Sequence, residues 1–174
     1  MAASLLRMTP VQIERGSGSD GRTAWSRVVG RDSALLYLSV RPSGTGGVGS
    51  QAQEIYELLA QLLAAHGASR HQVLTEKAFF ADLAGEVEAF REVRERFYLS
   101  GNGHEGSLPA TSFVEQPPAA PGVCCELQAR VVLPVPGEPL EVRGVAGLPP
   151  SAAGRVVSAR GCDHVFLMNL TGGS

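Results

Sequence analysis

A surplus of either charge is missing from this sequence, and so are long apolar runs, a cysteine framework and a rich set of aromatic rings. Lys and Arg number 15 against 17 Asp and Glu, a formal net charge of −2. So balanced a chain has no global field to draw in nucleic acid or an anionic membrane surface. No apolar run approaches the ~20 residues that a membrane-spanning helix needs. The opening, MAASLLRMTPVQIERG, holds a short apolar patch with a Glu soon after it, and does not read as a secretory signal. Cysteines number 3, and two of them, Cys124 and Cys125, are adjacent. Neighbours in a strand point to opposite faces, so this pair is not expected to bridge. A reduced, cytoplasmic protein is the simplest expectation. Aromatic residues make up only 6%, whereas Gly (21) and Pro (11) are plentiful. That composition predicts many connections between short elements.

What is present is one domain's worth of chain, 174 residues with 44% hydrophobic, enough for a globular core. Residues 1–22 are weakly patterned and end in GSGSDG, a linker composition. Two apolar runs, 23–29 and 34–40, flank a short polar turn and read as a β-hairpin. After a Gly-rich loop (PSGTGGVG, 42–49), Ser50 offers an N-cap oxygen with Gln53 three residues on. A helix is predicted over 51–66, with Ile55, Leu58, Leu59, Leu62, Leu63 and His66 on one face, and Gly67 stands where a left-handed cap is wanted. Residues 71–80 read as a strand. Residues 86–98 read as a second helix, with Val87, Phe90, Val93 and Phe97 on one side. Strands follow at 111–115 and 123–133. The order is ββαβαββ, an α+β domain whose two helices lie on one face of a mixed sheet.

Beyond residue 133 the composition becomes loop-like, with one candidate strand at 140–145. The segment RVVSARGCDHVFLMNL (155–170) is set out like RVVGRDSALLYLSV (27–40), and each is followed by a Gly-rich stretch, Thr171-Gly172-Gly173 in the later one. This weak internal repeat has two readings: the start of a second copy of the domain, or two hairpins that look alike. The chain therefore divides into an N-terminal extension (1–22), a domain (23–133) and a C-terminal extension (134–174).

From Trp25 to Leu133 the sequence resembles the RidA/YjgF family, the reactive-intermediate deaminases. The resemblance rests on a series in order: a strand ending in Ser39, then Gln51-Ala52-Gln53 and LAQLLAAHG (59–67), then FFADL (79–83) with Phe90, Val93 and Phe97. LPATSFVE (108–115) and VCCELQA (123–129) complete it. The resemblance implies a chorismate-mutase-like fold, a homotrimer with the sheets forming an inner barrel, and clefts between subunits. It also implies hydrolysis of small enamines or imines, with a Pro-Ala-Arg guanidinium holding the substrate carboxylate and a glutamate on the last strand positioning water. Glu126 falls at that glutamate. The arginine is absent, because this chain reads Pro109-Ala110-Thr111. A threonine hydroxyl can donate one hydrogen bond but brings no charge.

Each candidate has a second reading. Glu126 sits in an apolar strand and is either a cleft acid/base or a carboxylate paired with Arg130 or Arg94. Strand alternation is expected to put Cys124, Glu126 and Gln128 on one face. Cys124 is then a cleft residue or simply a small buried thiol, since no histidine stands at a recognisable spacing to activate it. Arg94 either restores a cation near the cleft or is a solvated helix arginine. Trp25, or Ser26 beside it, aligns with an aromatic gate of the family, and Trp25 otherwise belongs to the core or an interface. The loop 99–108, with His104 and Glu105, is an insertion-prone segment with no assigned role.

The four histidines are scattered, with no zinc-like spacing, and the Gly-rich loop lacks the Lys-Ser/Thr of a phosphate loop. No metal and no cofactor are expected. The sequence thus points to a divergent RidA-like homotrimer acting on a small planar imine or enamine in an inter-subunit cleft. Glu126 would serve as acid/base, and Thr111, Ser39, Arg94, Trp25 and Cys124 would contact the substrate. The alternatives are a chorismatase-like enol-ether hydrolase of tandem RidA-like architecture and a non-catalytic trimeric small-molecule-binding module. Neither nucleic acid nor membrane is an expected partner.

Overall fold

The computed structural model describes residues 11–100, 108–145, 153–159 and 162–168. The chain runs β1 (Gln12–Ser17), β2 (Thr23–Val29), β3 (Ser33–Val40), α1 (Val48–Ala65), β4 (Val73–Phe80), α2 (Leu83–Leu99), β5 (Ala110–Glu115) and β6 (Cys125–Pro134). Then come β7 (Leu140–Gly144), β8 (Ala153–Ala159) and β9 (Cys162–Met168). The ββαβαββ order expected from the sequence is the order of β2 to β6. These strands and β1 form one sheet in the order β1-β2-β3-β6-β4-β5, antiparallel except for the parallel pair β4–β5.

Alternation decides which face is covered. Ala34, Leu36, Leu38 and Val40 of β3 and Cys125, Leu127, Ala129, Val131 and Leu133 of β6 are buried under the helices. Helix α1 answers with Ile55, Leu59 and Leu63, at four-residue steps, and α2 with Phe90. Removing this apolar surface from water is the main term that holds the sheet to its helices. The opposite face carries the other parity of each strand. One end of that face is closed by a second antiparallel sheet, β7-β8-β9, through Leu74 and Val132 on one side and Val157 on the other.

Three local readings change. Residues 12–17, expected within a linker, form the edge strand β1, paired with β2 from Gln12↔Val29 to Ser17↔Ala24. QIERGS has no apolar periodicity because both its faces are largely exposed; the backbone ladder alone holds it. The GSGSDG segment supplies the last residues of that strand and the turn to β2, with Gly21 at φ 69°. Helix α1 starts at Val48 with Gly47 as N-cap and no side-chain cap, so Ser50 lies inside the helix rather than before it. Helix α2 starts at Leu83, where the Asp82 carboxylate accepts from the Gly85 backbone N–H. Gly67, at φ 65°, follows α1 in the left-handed conformation read from the sequence.

The tail adds a hairpin, β8–β9, paired from Ala153↔Met168 to Ala159↔Cys162, and β7 completes a three-stranded meander. The order of pairing is that of β1-β2-β3. The Gly-rich stretch 171–173 and the 101–107 part of the loop 99–108 lie outside the described residues.

Because Val157 is the buried residue that the second sheet contributes to this apolar cluster, Val157→Asp is expected to release it. Hydrogen exchange should then rise across β7–β9 while the amides of β3 and β6 stay protected. Unchanged protection of β8 would contradict this account of the docking.

Candidate functional site

Two polar constellations lie on opposite faces of the large sheet. The first is buried beneath α2. Glu76, on the inward parity of β4 with Ala78 and Phe80, is 3% exposed. Its Oε2 accepts from Arg94 Nε at 2.8 Å and from Thr111 Oγ1 at 3.0 Å. Its Oε1 accepts from Tyr98 Oη at 2.7 Å and Tyr56 Oη at 3.3 Å. Arg94 Nη2 donates to Thr111 Oγ1 at 2.5 Å and to the Pro109 carbonyl at 2.8 Å. Phe90, Arg94 and Tyr98, at four-residue steps, are the buried face of α2, so the arginine is delivered to the acid by the helix period itself. A buried carboxylate is tolerable only when its lone pairs are taken up, and four donors do so here. Burial, and then the Glu76 charge, push the phenols of Tyr56 and Tyr98 well above 10.0. Arg155 of β8, also buried, donates to the His71 carbonyl and lies 5.8 Å from the Tyr98 ring.

The second constellation faces outward. A cavity of about 590 Å³ opens on the sheet face away from the helices. Cross-strand register builds it in two rows. One row runs Arg15, Ser26, Tyr37, Arg130, Thr75 across five adjacent strands. The other runs Ser39, Gln128, Lys77, Ser112. Leu167 of β9 adds an apolar wall. The Arg130 guanidinium lies 5.4 Å from the Tyr37 ring centre, and its Nε is buried without a hydrogen-bond partner among the described residues. Lys77 Nζ lies 5.9 Å from the Phe79 ring. Among the described residues Arg15, Lys77 and Arg130 make no salt bridge, whereas Arg22, Arg27, Arg91 and Arg94 each have a carboxylate. Of the lining residues only Glu76 is acidic, and its carboxylate points to the helix side. This is a cationic, hydroxyl-lined cavity with no counter-charge turned into it among the described residues, an electrostatic setting that favours negative charge.

The sheets and helices align with known structures over most of the chain. A member of the YjgF protein family from Neisseria meningitidis is 20% identical, with a TM-score of 0.54 over 71% of this chain and 97% of that one. A member of the YjgF/YER057c/UK114 family from Mycobacterium tuberculosis is 20% identical, with a TM-score of 0.52 over 70% and 100%. A proposed translation initiation inhibitor from Salmonella typhimurium is 17% identical, with a TM-score of 0.58 over 71% and 100%. The fold is that of the YjgF proteins. No protein-family model matches the sequence, and neither does any curated protein. Nearly the whole length of these YjgF-like chains is matched, so this protein carries a substantial segment that they lack.

Set on the YjgF-like sheet, the residues singled out from the sequence fall into separate places. Thr111 and Arg94 do come together, but inside the buried network, at 2% and 4% exposure, where both serve Glu76. Within this chain they do not meet Glu126, which lies on the other face of the sheet. Arg94 is neither solvated nor free for a ligand, because the Glu76 carboxylate takes its charge. Glu126 pairs with Phe79 on the open-face parity, half-buried, outside the cavity lining and without a salt bridge to Arg130 or Arg94. Ser39 is among the residues that line the cavity.

Cys124 is not on the Glu126 face. Strand β6 begins one residue later, so alternation does not reach it, and its Sγ lies 3.6 Å from Gln51 Nε2. Burial, and then Glu86, raise its thiol pKa, the wrong direction for a nucleophile. The Trp25 ring is turned to the helix side, edge-on to His66 at 4.6 Å and against Gly16, where a Cβ would come within 2.6 Å of the indole. Trp25 and its neighbour Ser26 are both among the residues that border the cavity.

Glu76, Tyr56, Tyr98, Tyr37, Lys77 and Arg15 help to carry the two sites and are not singled out by the sequence, and Arg130 enters there only as a partner for Glu126. The signal for the first group was an acid on the inward parity of an apolar strand (LTEKAFF), with an arginine between Phe90 and Tyr98 on the inner face of α2. For the second it was the set of polar residues at alternate positions of neighbouring strands, which only the strand order brings together.

Two outcomes test the buried network. Glu76→Gln leaves the Arg94 guanidinium buried and unpaired, and should cost about 3–5 kcal/mol in urea unfolding; a loss below about 1 kcal/mol would contradict the pairing. The raised phenols also predict alkaline lability. Above pH 10 the unfolded phenols lose protons while the folded ones keep them, so stability falls as pH rises past 10. The double variant Tyr56→Phe, Tyr98→Phe should show a shallower fall in melting temperature above pH 10 than the parent.

Proposed function

We propose that this protein is a binding module for a small anionic molecule, held in the cavity on the open face of its YjgF-like sheet. The observation that carries this reading is that Arg15, Lys77 and Arg130 all line one cavity, with no carboxylate turned towards them among its described lining residues. Ser26, Ser39, Ser112 and Gln128 would complete the hydrogen bonds of a carboxylate or phosphate, and Tyr37 would bound its apolar part. The reading includes self-association as a homotrimer, in keeping with the exposed apolar residues Val11 and Ile13 beside and on edge strand β1. It includes a cytoplasmic setting, in keeping with three free cysteines.

A second reading keeps the chemistry. Hydrolysis of a small imine or enamine, or of an enol ether, needs a carboxyl group to move a proton. Glu126 is supported for that role by its place on the same face as Gln128, half-buried and unpaired among the described residues. The orienting charge would come from the cavity arginines rather than from Thr111 or Arg94.

Calorimetric titration with pyruvate and with inorganic phosphate tests the binding reading. Arg130→Gln and Lys77→Gln should each weaken binding about 10- to 100-fold, the worth of a charge-assisted hydrogen bond. A parent that binds neither anion, or variants that bind as the parent does, would sink it. If the parent releases ammonia from an imine formed in situ and Glu126→Gln does not, the enzymatic reading takes its place.

A further inference from the structure

Arg15, Ser26, Tyr37 and Arg130 are successive members of one cross-strand row, from edge strand β1 to β6. Three strand spacings put the two arginine backbones roughly 14 Å apart, and an extended arginine side chain covers about half of that. The Arg130 guanidinium leans over the Tyr37 ring, and so towards Arg15. Both arginines line the cavity, so the space above Ser26 and Tyr37 is within reach of both. Lys77 stands off the line of this pair: it leans over Phe79, away from Arg130, in the neighbouring row. Among the described residues neither arginine makes a salt bridge, and Arg130 Nε is buried without a hydrogen-bond partner. Two guanidiniums that meet over one spot bring two positive charges and two planar forks of donors. A lone carboxylate carries one charge on two oxygens and leaves the second cation without a counter-charge. A phosphate monoester carries up to two charges on three terminal oxygens, which can accept from both forks and from the Ser26 hydroxyl together.

We propose that Arg15 and Arg130 pair across Tyr37 to hold a doubly charged tetrahedral anion, the phosphate of a small monoester. This rests on the anion-binding reading above and narrows it to a class. The phosphate sits over Ser26 between the two guanidiniums. The organic part lies against the apolar surface of the same cavity, the Tyr37 ring and Leu167, which are 38% and 40% exposed. The division of labour follows from charge: the arginine pair reads the second negative charge, and the apolar wall reads the ester.

Calorimetric titration of the full chain with methyl phosphate and methyl sulfate at about pH 8 tests this, since the two are alike in shape and differ by one charge. Methyl phosphate is expected to bind about tenfold or more tightly than methyl sulfate. Arg15→Gln and Arg130→Gln should each weaken methyl phosphate the more, bringing the two affinities within about threefold of one another. Phenyl phosphate should bind more tightly than inorganic phosphate, its ring lying on Tyr37. Inorganic phosphate binding as tightly as phenyl phosphate would assign the site to the free ion and overturn the monoester. Equal binding of the two methyl esters by the parent, or a preference that survives either substitution, overturns the paired-arginine site while the anion site stands. Failure of every anion to bind, pyruvate included, overturns both readings.

Discussion

The ion pair between Glu76 and Arg94 is the constraint on which the rest of the structure depends. It joins α2 to the middle of the sheet at a point where neither charge reaches water. A buried pair is not in itself a large stabiliser, because desolvation offsets most of the attraction. Its effect is on uniqueness. With two phenols, one threonine hydroxyl and the Pro109 carbonyl also engaged, α2 has one rotation and β5 one register that leave no polar group unmatched. Strand β8 adds to the same corner, since Arg155 reaches the Tyr98 ring and the His71 carbonyl.

Fixing that face determines what the other can be. Strand β4 is the clearest case. Glu76, Ala78 and Phe80 are committed to the helices, so Thr75 and Lys77 must point the opposite way. The same division runs through β3, where Leu36 and Leu38 are buried while Tyr37 and Ser39 are exposed, and through β6, where Leu127, Ala129 and Val131 bracket Gln128 and Arg130. The cationic cavity is thus the complement of the apolar core, written on alternate residues of the same strands.

This division explains which elements show in the sequence. Helix α1 was legible because Ile55, Leu59 and Leu63 repeat at the helical period, and β3 because ALLYLSV is apolar enough to announce itself. The order of elements followed from those signals, and strand alternation put Glu126 with Gln128, though it also put Cys124 there, one residue before the strand begins. Strand β1 was not legible, since an edge strand exposed on both faces has no pattern to show. Nor was the fate of Arg94: the helical period placed it on the inner face of α2, but its partner comes from a strand 18 residues earlier. The cavity was hidden for the same reason on a larger scale. Arg15, Tyr37, Lys77 and Arg130 become neighbours only through the crossover order β1-β2-β3-β6-β4.

The packing around Thr111 also limits what can stand there. Its hydroxyl is 2.5 Å from one guanidinium, and a second, on Arg155, is drawn to the same corner. An arginine at position 111 would crowd a third cation into a space with a single carboxylate to neutralise it. Positions 94 and 111 are therefore coupled: they share one seat for one guanidinium, and a cation from β5 gains a counter-charge there only when the one from α2 gives it up.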